Sequence, residues 1–419
     1  MKKETKRQVL FTAFLAKIAI VAILFSFSSC DEEDDPTPTP TPDSPAEIEL
    51  TEEEEDLIDA SNSFTFKIFK KITASDKDAN VILSPFSVSE DLSMLLNGAV
   101  GESQQEIIDA LEVSDLSVSE LNAAYKSLTN SLLNVDDKIS AGIANSIWTR
   151  VPILESFSNT VLNYYNAETY ELEDNVEVIN DWIREKTNGM IENGMENVNP
   201  SSPLYLINAL FFKGDWQNKF DKTKTSNRPF TLLNNETVDV PMMIQENSFK
   251  ISENERVAML ELPYGRGNYV MDILLPKNLS EYKDMFALLN NAFFNDLVQN
   301  LRSTKVTVEF PKFKYQFGDE MSAVLSSLGI TKIFTDDANL SNMTNSSICV
   351  DEVWHKAFIE TNEDGSSAAA VTIIDTRYTS GSIEPRTFRV DRPFAYVIRE
   401  TSSNTVLFVG KVINPLLEE

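Results

Sequence analysis

Histidine and cysteine are nearly missing from this 419-residue chain: there is one histidine, His355, and two cysteines, Cys30 and Cys349. A zinc site built from cysteine and histidine ligands is therefore excluded. No Gly-x-Gly-x-x-Gly turn and no Walker-type loop occurs, so the common nucleotide cradles are absent. No Gly-x-Ser-x-Gly elbow is present either, and a serine hydrolase would have to use His355 without that support. Basic residues are few, 36 against 65 acids, for a net charge of −29. Nucleic acid is thereby excluded as a partner, because phosphate binding needs a basic footprint. No internal repeat is found, and no cofactor or metal is expected.

What the chain does contain is length enough for a large core. Near its C-terminus, Glu363-Asp364-Gly365 opens a stretch that runs uncharged from Ser366 to Ile374. Small residues come first and β-branched ones follow, which favours a strand. At period two, one face carries Ser366, Ala368, Ala370, Thr372, Ile374 and Thr376. The first charges, Asp375 and Arg377, share the other face. Such a pattern predicts one buried and one wet side. A plain helical or low-complexity alanine run is the alternative. Left exposed, a strand of this kind invites aggregation unless the fold has a use for it.

The N-terminus reads as an address. Lys2, Lys3, Lys6 and Arg7 precede a largely apolar run over 9–29, the pattern of a signal peptide over 1–29. Phe27-Ser28-Ser29-Cys30 resembles a bacterial lipobox, with Phe in place of Leu. That resemblance implies lipidation of Cys30 after cleavage; an uncleaved membrane anchor is the alternative. Residues 31–56 hold 13 acids and no bases. Their first five resemble an export signal to the outer face of the outer membrane, with a plain acidic spacer as the alternative. A Pro-Thr repeat over 36–42 then makes an extended tether. The folded domain is expected over 57–419, with Leu57, Phe64, Ile68 and Ile72 on one helical face.

Helical patterns dominate the first half, at Ser87–Gly98, Ser103–Leu111 and Asn180–Gly189, the last with a glycine stop. Strands cluster later. Tyr205–Lys213 is apolar enough to be buried on both faces. Asn268–Leu275 and Lys305–Phe313 also read as strands. Phe394–Glu400 and Thr405–Val412 flank a hairpin turn at 402–404. Together these predict an α+β domain.

Several blocks then occur in a fixed order: Asn80-Val81-Ile82-Leu83-Ser84-Pro85-Phe86-Ser87, Thr187-Asn188-Gly189, Asn208 to Trp216, Val240-Pro241-Met242-Met243, Phe310-Pro311-Lys312, His355-Lys356-Ala357, Asp391-Arg392-Pro393-Phe394 and Gly410 to Pro415. In this order they resemble the serpins over about 57–417. Ala395 departs from the pattern, where a bulkier apolar residue is usual. The resemblance implies helices with three β-sheets, the large central one able to admit an exposed reactive loop. It implies a suicide inhibitor of serine proteases rather than an enzyme. The cleaved loop would insert as a new strand, with the acyl-enzyme trapped as a covalent complex. Cysteine proteases are a second target class, and a monomer is the expected state. A non-inhibitory surface binding or carrier protein is the competing reading, and a hydrolase using His355 is the third.

By the same resemblance, Glu363, Gly365, Ser366, Ala368, Ala369 and Ala370 form the hinge. The segment carries no proline or charge from Ser366 to Ile374, as an inserting hinge requires. Val371 is larger than the usual alanine there. Ser84, Ser87, Asn208 and His355 would form a polar latch beneath the point where the sheet opens. Trp216 and the pair Lys312–Glu363 would stand at the top of that opening, the pair being a surface one of small energy. Family spacing places the scissile bond at Thr379–Ser380, suiting an elastase-like protease. Tyr378 (chymotrypsin-like) and Arg377 (trypsin-like) are the alternatives. Cys349 is expected to be a small buried residue.

Overall fold

The computed structural model describes residues 44–75, 79–192, 194–366 and 386–417. Cys30, Ala368, Ala369, Ala370 and the bait residues Arg377, Tyr378, Thr379 and Ser380 lie outside them. In chain order the described elements are α1 Glu52–Ser75, β1 Val81–Leu83, α2 Pro85–Gly98, α3 Glu102–Leu111, α4 Val118–Asn134, β2 Ile139–Thr149, α5 Glu155–Tyr165, β3 Glu168–Glu171, α6 Val176–Lys186 and β4 Leu204–Asp215. There follow β5 Ser226–Thr231, β6 Thr237–Glu253, β7 Val257–Tyr264, β8 Tyr269–Pro276, α7 Tyr282–Leu288, α8 Asn291–Gln299, β9 Arg302–Pro311, β10 Phe313–Glu320 and α9 Ser322–Ser327. The chain ends with β11 Glu352–Thr361, β12 Gly365–Ser366, β13 Arg386–Arg389, β14 Phe394–Glu400 and β15 Val406–Val412.

Local chemistry accounts for several boundaries. Thr51 and Glu54 exchange backbone-to-side-chain hydrogen bonds and so cap α1. Ile48 and Leu50 already rest on the core, so the packed body reaches upstream of the Leu57 boundary expected from sequence. Ser117 and Glu120 form the same reciprocal cap on α4. Helix α6 stops at Lys186, and Gly189 follows at φ +76°, donating to Arg184 O.

The strands form two hydrogen-bonded sheets. One has six strands, in the order β10-β11-β4-β2-β3, with β12 added to β4. The other has nine, because the 17-residue β6 pairs with β5 and β9 and also continues onto β7. Two of the three expected sheets are thus joined through this single strand. The sheet with a central opening is the six-stranded one, not the larger.

Strand β4 is buried on both faces, as its apolar run predicted. Leu206, Leu210 and Phe212 enter the main core between the sheets. Tyr205, Ile207 and Ala209 pack under α6 with Trp148, Trp182 and Ile183. The predicted strand Lys305–Phe313 is instead broken at Lys312, whose N–H bonds to Pro241 O. Cys349 is half-buried rather than fully buried.

Candidate functional site

Above Phe358 and Phe211 the two central strands part. Strands β11 and β4 pair in parallel from Glu352↔Tyr205 to Phe358↔Phe211 and no further. Strand β11 continues to Thr361 against β10, while β4 runs on to Asp215. The space between them is occupied at its top by β12. Gly365 pairs with Asp215 and Ser366 with Gly214, antiparallel. The first two residues of the predicted strand therefore already sit in the sheet. Ser366 is buried, and its hydroxyl lies 3.2 Å from that of Tyr264.

Glycine is required at position 365. Its φ is +140°, and a Cβ there would lie 2.2 Å from Gly214 O and 2.6 Å from Trp216 N. Backbone meets backbone, so no side chain can move aside. Trp216 roofs this turn. Its indole N–H donates to Asn362 O at 2.9 Å, its backbone N–H to Asp364 O, and its ring stacks on Tyr264 at 4.3 Å.

Two ion clusters hold the residues just before the turn. Lys312 Nζ reaches Glu363 Oε2 at 2.8 Å, and Thr225 donates to Oε1 at 2.8 Å. Glu363 is buried, so the pair is not the surface contact expected from sequence. Burial alone would raise the Glu363 carboxyl, but Lys312 and Thr225 outweigh it and hold the group below its ordinary value. Asp364, also buried, pairs with Lys222 at 2.6 Å and Lys219 at 3.8 Å. Sequence reasoning missed this second cluster, because an acid next to a named acid carries no pattern of its own.

Beneath the opening the four latch residues come together. His355 is fully buried on β11. Its Nε2 accepts from the Ser84 backbone N–H at 3.0 Å, and Nδ1 faces Asn208 Oδ1 of β4 at 3.1 Å. The proton therefore sits on Nδ1 and is donated to Asn208. Burial depresses the imidazole to about 3, so it stays neutral at any ordinary pH. Asn208 Nδ2 donates to Ser87 Oγ and to Asn145 Oδ1. Ser84 acts through its backbone; its hydroxyl finds no partner among the described residues. Asn145 on β2 was not foreseen, although a lone asparagine in a strand with an apolar end is a legible signal. His355 faces an amide and a backbone N–H, which leaves it no access to a substrate and no role as a catalytic base.

The six-stranded sheet thus has parted central strands, a turn docked in the gap between them and a polar latch joining the two strands below. The serpin family model, described as serine protease inhibitor, matches residues 59–415. The chain belongs to the serpin family. It is 33% identical over 375 residues to Iripin-2 of Ixodes ricinus, covering 86% of this chain and 94% of that one. It is 32% identical to human serpin B9, covering 86% and 100%. Among solved structures, the thermophilic serpin tengpin in its native state matches with TM-score 0.79 at 30% identity, over 88% and 96% of the two chains. Human thyroxine-binding globulin matches with TM-score 0.81 at 25% identity, over 88% and 100%. Serpins are generally protease inhibitors rather than enzymes, and they capture their targets in covalent complexes.

Proposed function

We propose that this serpin is a suicide inhibitor of serine proteases, elastase-like ones first. The observation that carries the reading is the docking of Gly365 and Ser366 on β4, with Ser366 turned to the buried face. The same register, extended, sets Ala368 opposite Phe212, Ala370 opposite Leu210 and Thr372 opposite Asn208. The small side chains would then enter the core side of the sheet, and Asp375 and Arg377 would fall on the other side.

In this reading the protease serine Oγ attacks the Thr379 carbonyl carbon. The bond to Ser380 N breaks, the amine leaves with the proton, and an ester joins Thr379 to the enzyme. Insertion of residues 367 onward then gains strand hydrogen bonds of about 0.5–1.5 kcal/mol each. The loop-exposed form is a kinetic trap. Incubation with elastase, chymotrypsin and trypsin separately is expected to give, with elastase, a band that survives denaturing electrophoresis. The released peptide should begin at Ser380; a start at Thr379 or Tyr378 would move the bait to Tyr378 or Arg377.

A carrier function is the second reading. It rests on a cavity of about 790 Å³ between α1 and α7, lined by Lys70, Thr73, Tyr282, Lys283 and Phe286. Thyroxine-binding globulin shows that the fold also serves ligand binding. Loop cleavage by all three proteases with neither a covalent band nor a rise in melting temperature would favour it.

The reading includes an anchor: lipid on Cys30, with the acidic run and Pro-Thr tether holding the domain off the outer face of the outer membrane. Cys30→Ser is expected to move the protein from the detergent phase to the aqueous phase on phase partition. Unchanged partition would remove the lipid from the account.

A further inference from the structure

The latch does not end at Asn145. Asn145 Nδ2 donates to Glu90 Oε2 of α2 at 3.3 Å, and Thr129 of α4 donates to Glu90 Oε1 at 2.7 Å. Every donation runs one way. Ser84 N–H gives to His355, His355 Nδ1–H to Asn208, Asn208 to Asn145, and Asn145 to the Glu90 carboxylate. Chains of this kind polarise cooperatively toward a charged acceptor. The far end is a backbone N–H that cannot reverse. A protonated Glu90 still accepts from Asn145 through its carbonyl oxygen, but that bond is then neutral rather than charge-assisted, and the chain loses its charged terminus.

We propose that Glu90 is a positioning residue for the opening of the six-stranded sheet: its carboxylate terminates and orients the hydrogen-bond chain joining β4 to β11, and taking up a proton there loosens the join. The Asn208–His355 bond is the step that spans the gap an inserting strand must enter.

Glu90 is fully buried, and that burial pushes its carboxyl up to about 7 against the opposing bonds from Thr129 and Asn145. The groups around it are Asp91 on its own helix, Tyr125 and Thr129 of α4, Tyr165 of α5 and Asn145 of β2. Among the described residues, no basic side chain contributes to its balance. Burial first, and then the Glu90 charge, raise the Asp91 carboxyl well above its ordinary value.

Two signs follow. Against the unfolded chain, a raised carboxyl contributes stability that is full below its ordinary value and lost as pH rises through about 7. Against the opened sheet the sign reverses, because Glu90 packs against Thr129 of α4 and Asn145 of β2, which the parting of β4 from β11 does not separate, so its burial stays and only the donation changes. Opening removes the donation from His355 and weakens the hold on the carboxylate, so the opened form takes up the proton more readily. Acidification from pH 8 to 6 should therefore promote opening without promoting unfolding.

This inference rests on reading the six-stranded sheet as the one that opens. The test is amide hydrogen exchange of Asn208–Phe211 and His355–Phe358 in the full chain, corrected for the intrinsic pH dependence. Exchange reads opening whether or not any protease is trapped. From pH 8 to 6, opening is expected to increase about fivefold, the size of trading a charge-assisted bond for a neutral one. Glu90→Gln should open at the low-pH rate at both values. Thr129→Val removes one bond to the carboxylate and should move the midpoint upward while leaving the plateaus. A flat profile in the wild type, an unchanged profile in Glu90→Gln, or an unmoved midpoint in Thr129→Val would overturn the proposal. Glu90→Gln is isosteric; should it fail to fold, Thr129→Val alone decides.

Discussion

Ser366→Arg is expected to turn this serpin from an inhibitor into a substrate. Trapping is a race between strand insertion and hydrolysis of the acyl-enzyme, so any barrier added to insertion shifts the outcome. Each 1.36 kcal/mol slows insertion about tenfold. Ser366 is 2% exposed and faces Gly214, where even a Cβ would come within 2.6 Å of Ile139. A guanidinium has no space there and, among the described residues, the polar group that Ser366 meets is the Tyr264 hydroxyl, so residue 366 would leave the place it holds before cleavage and have to re-enter with the loop. An unpaired buried charge costs several kcal/mol. The covalent band should therefore fall more than tenfold while loop cleavage persists. Ser367→Arg is the control, because the two-residue period sends it to the opposite face. Loss of the band in both variants would point to damage rather than insertion. A normal band in Ser366→Arg would sink the insertion reading itself.

The residues on which the proposed mechanism rests are legible for simple reasons. Strand β4 shows in the sequence because burial on both faces leaves an apolar run from Tyr205 to Phe212 that only Asn208 interrupts. The hairpin at 402–404 shows because Asn404 must take a positive φ. Both are local facts. The 17-residue β6 hides its dual pairing, which depends on partners far along the chain. The Glu90–Asn145 contact joins residues 55 positions apart across different elements. Glu90 and Asp91 are the two charged residues of a helix buried almost throughout, a visible conflict, yet nothing local says what resolves it. The burial of Glu363 in the Lys312–Glu363 pair is hidden for a related reason. Sequence gives the charges, but only packing shows that the carboxylate is buried while the ammonium is partly wet.

A second buried charge cluster should behave in the opposite way to the latch. Lys250, Glu261, Asp272 and Arg399 form a row across the neighbouring strands β6, β7, β8 and β14. Arg399 donates from Nε to Asp272 at 2.6 Å and from Nη2 to Glu261 at 2.7 Å. Both carboxylates and the guanidinium are buried; only Lys250 is wet. Arg399→Met keeps most of the side-chain bulk and strands Asp272 without its cation. Breaking such a pair from one side is expected to cost about 3–5 kcal/mol in denaturant unfolding. Substituting Glu261 and Asp272 by leucine in the same chain should restore much of that, because no charge is then left unpaired. This row lies in the nine-stranded sheet, whereas the gap proposed to receive the loop lies in the six-stranded one. Its loss should therefore lower the loop-exposed and the cleaved forms alike, leaving the difference between them unchanged. A loss below about 1 kcal/mol would reduce the row to the worth of surface pairs. A loss confined to the loop-exposed form would mean that the nine-stranded sheet also moves on insertion.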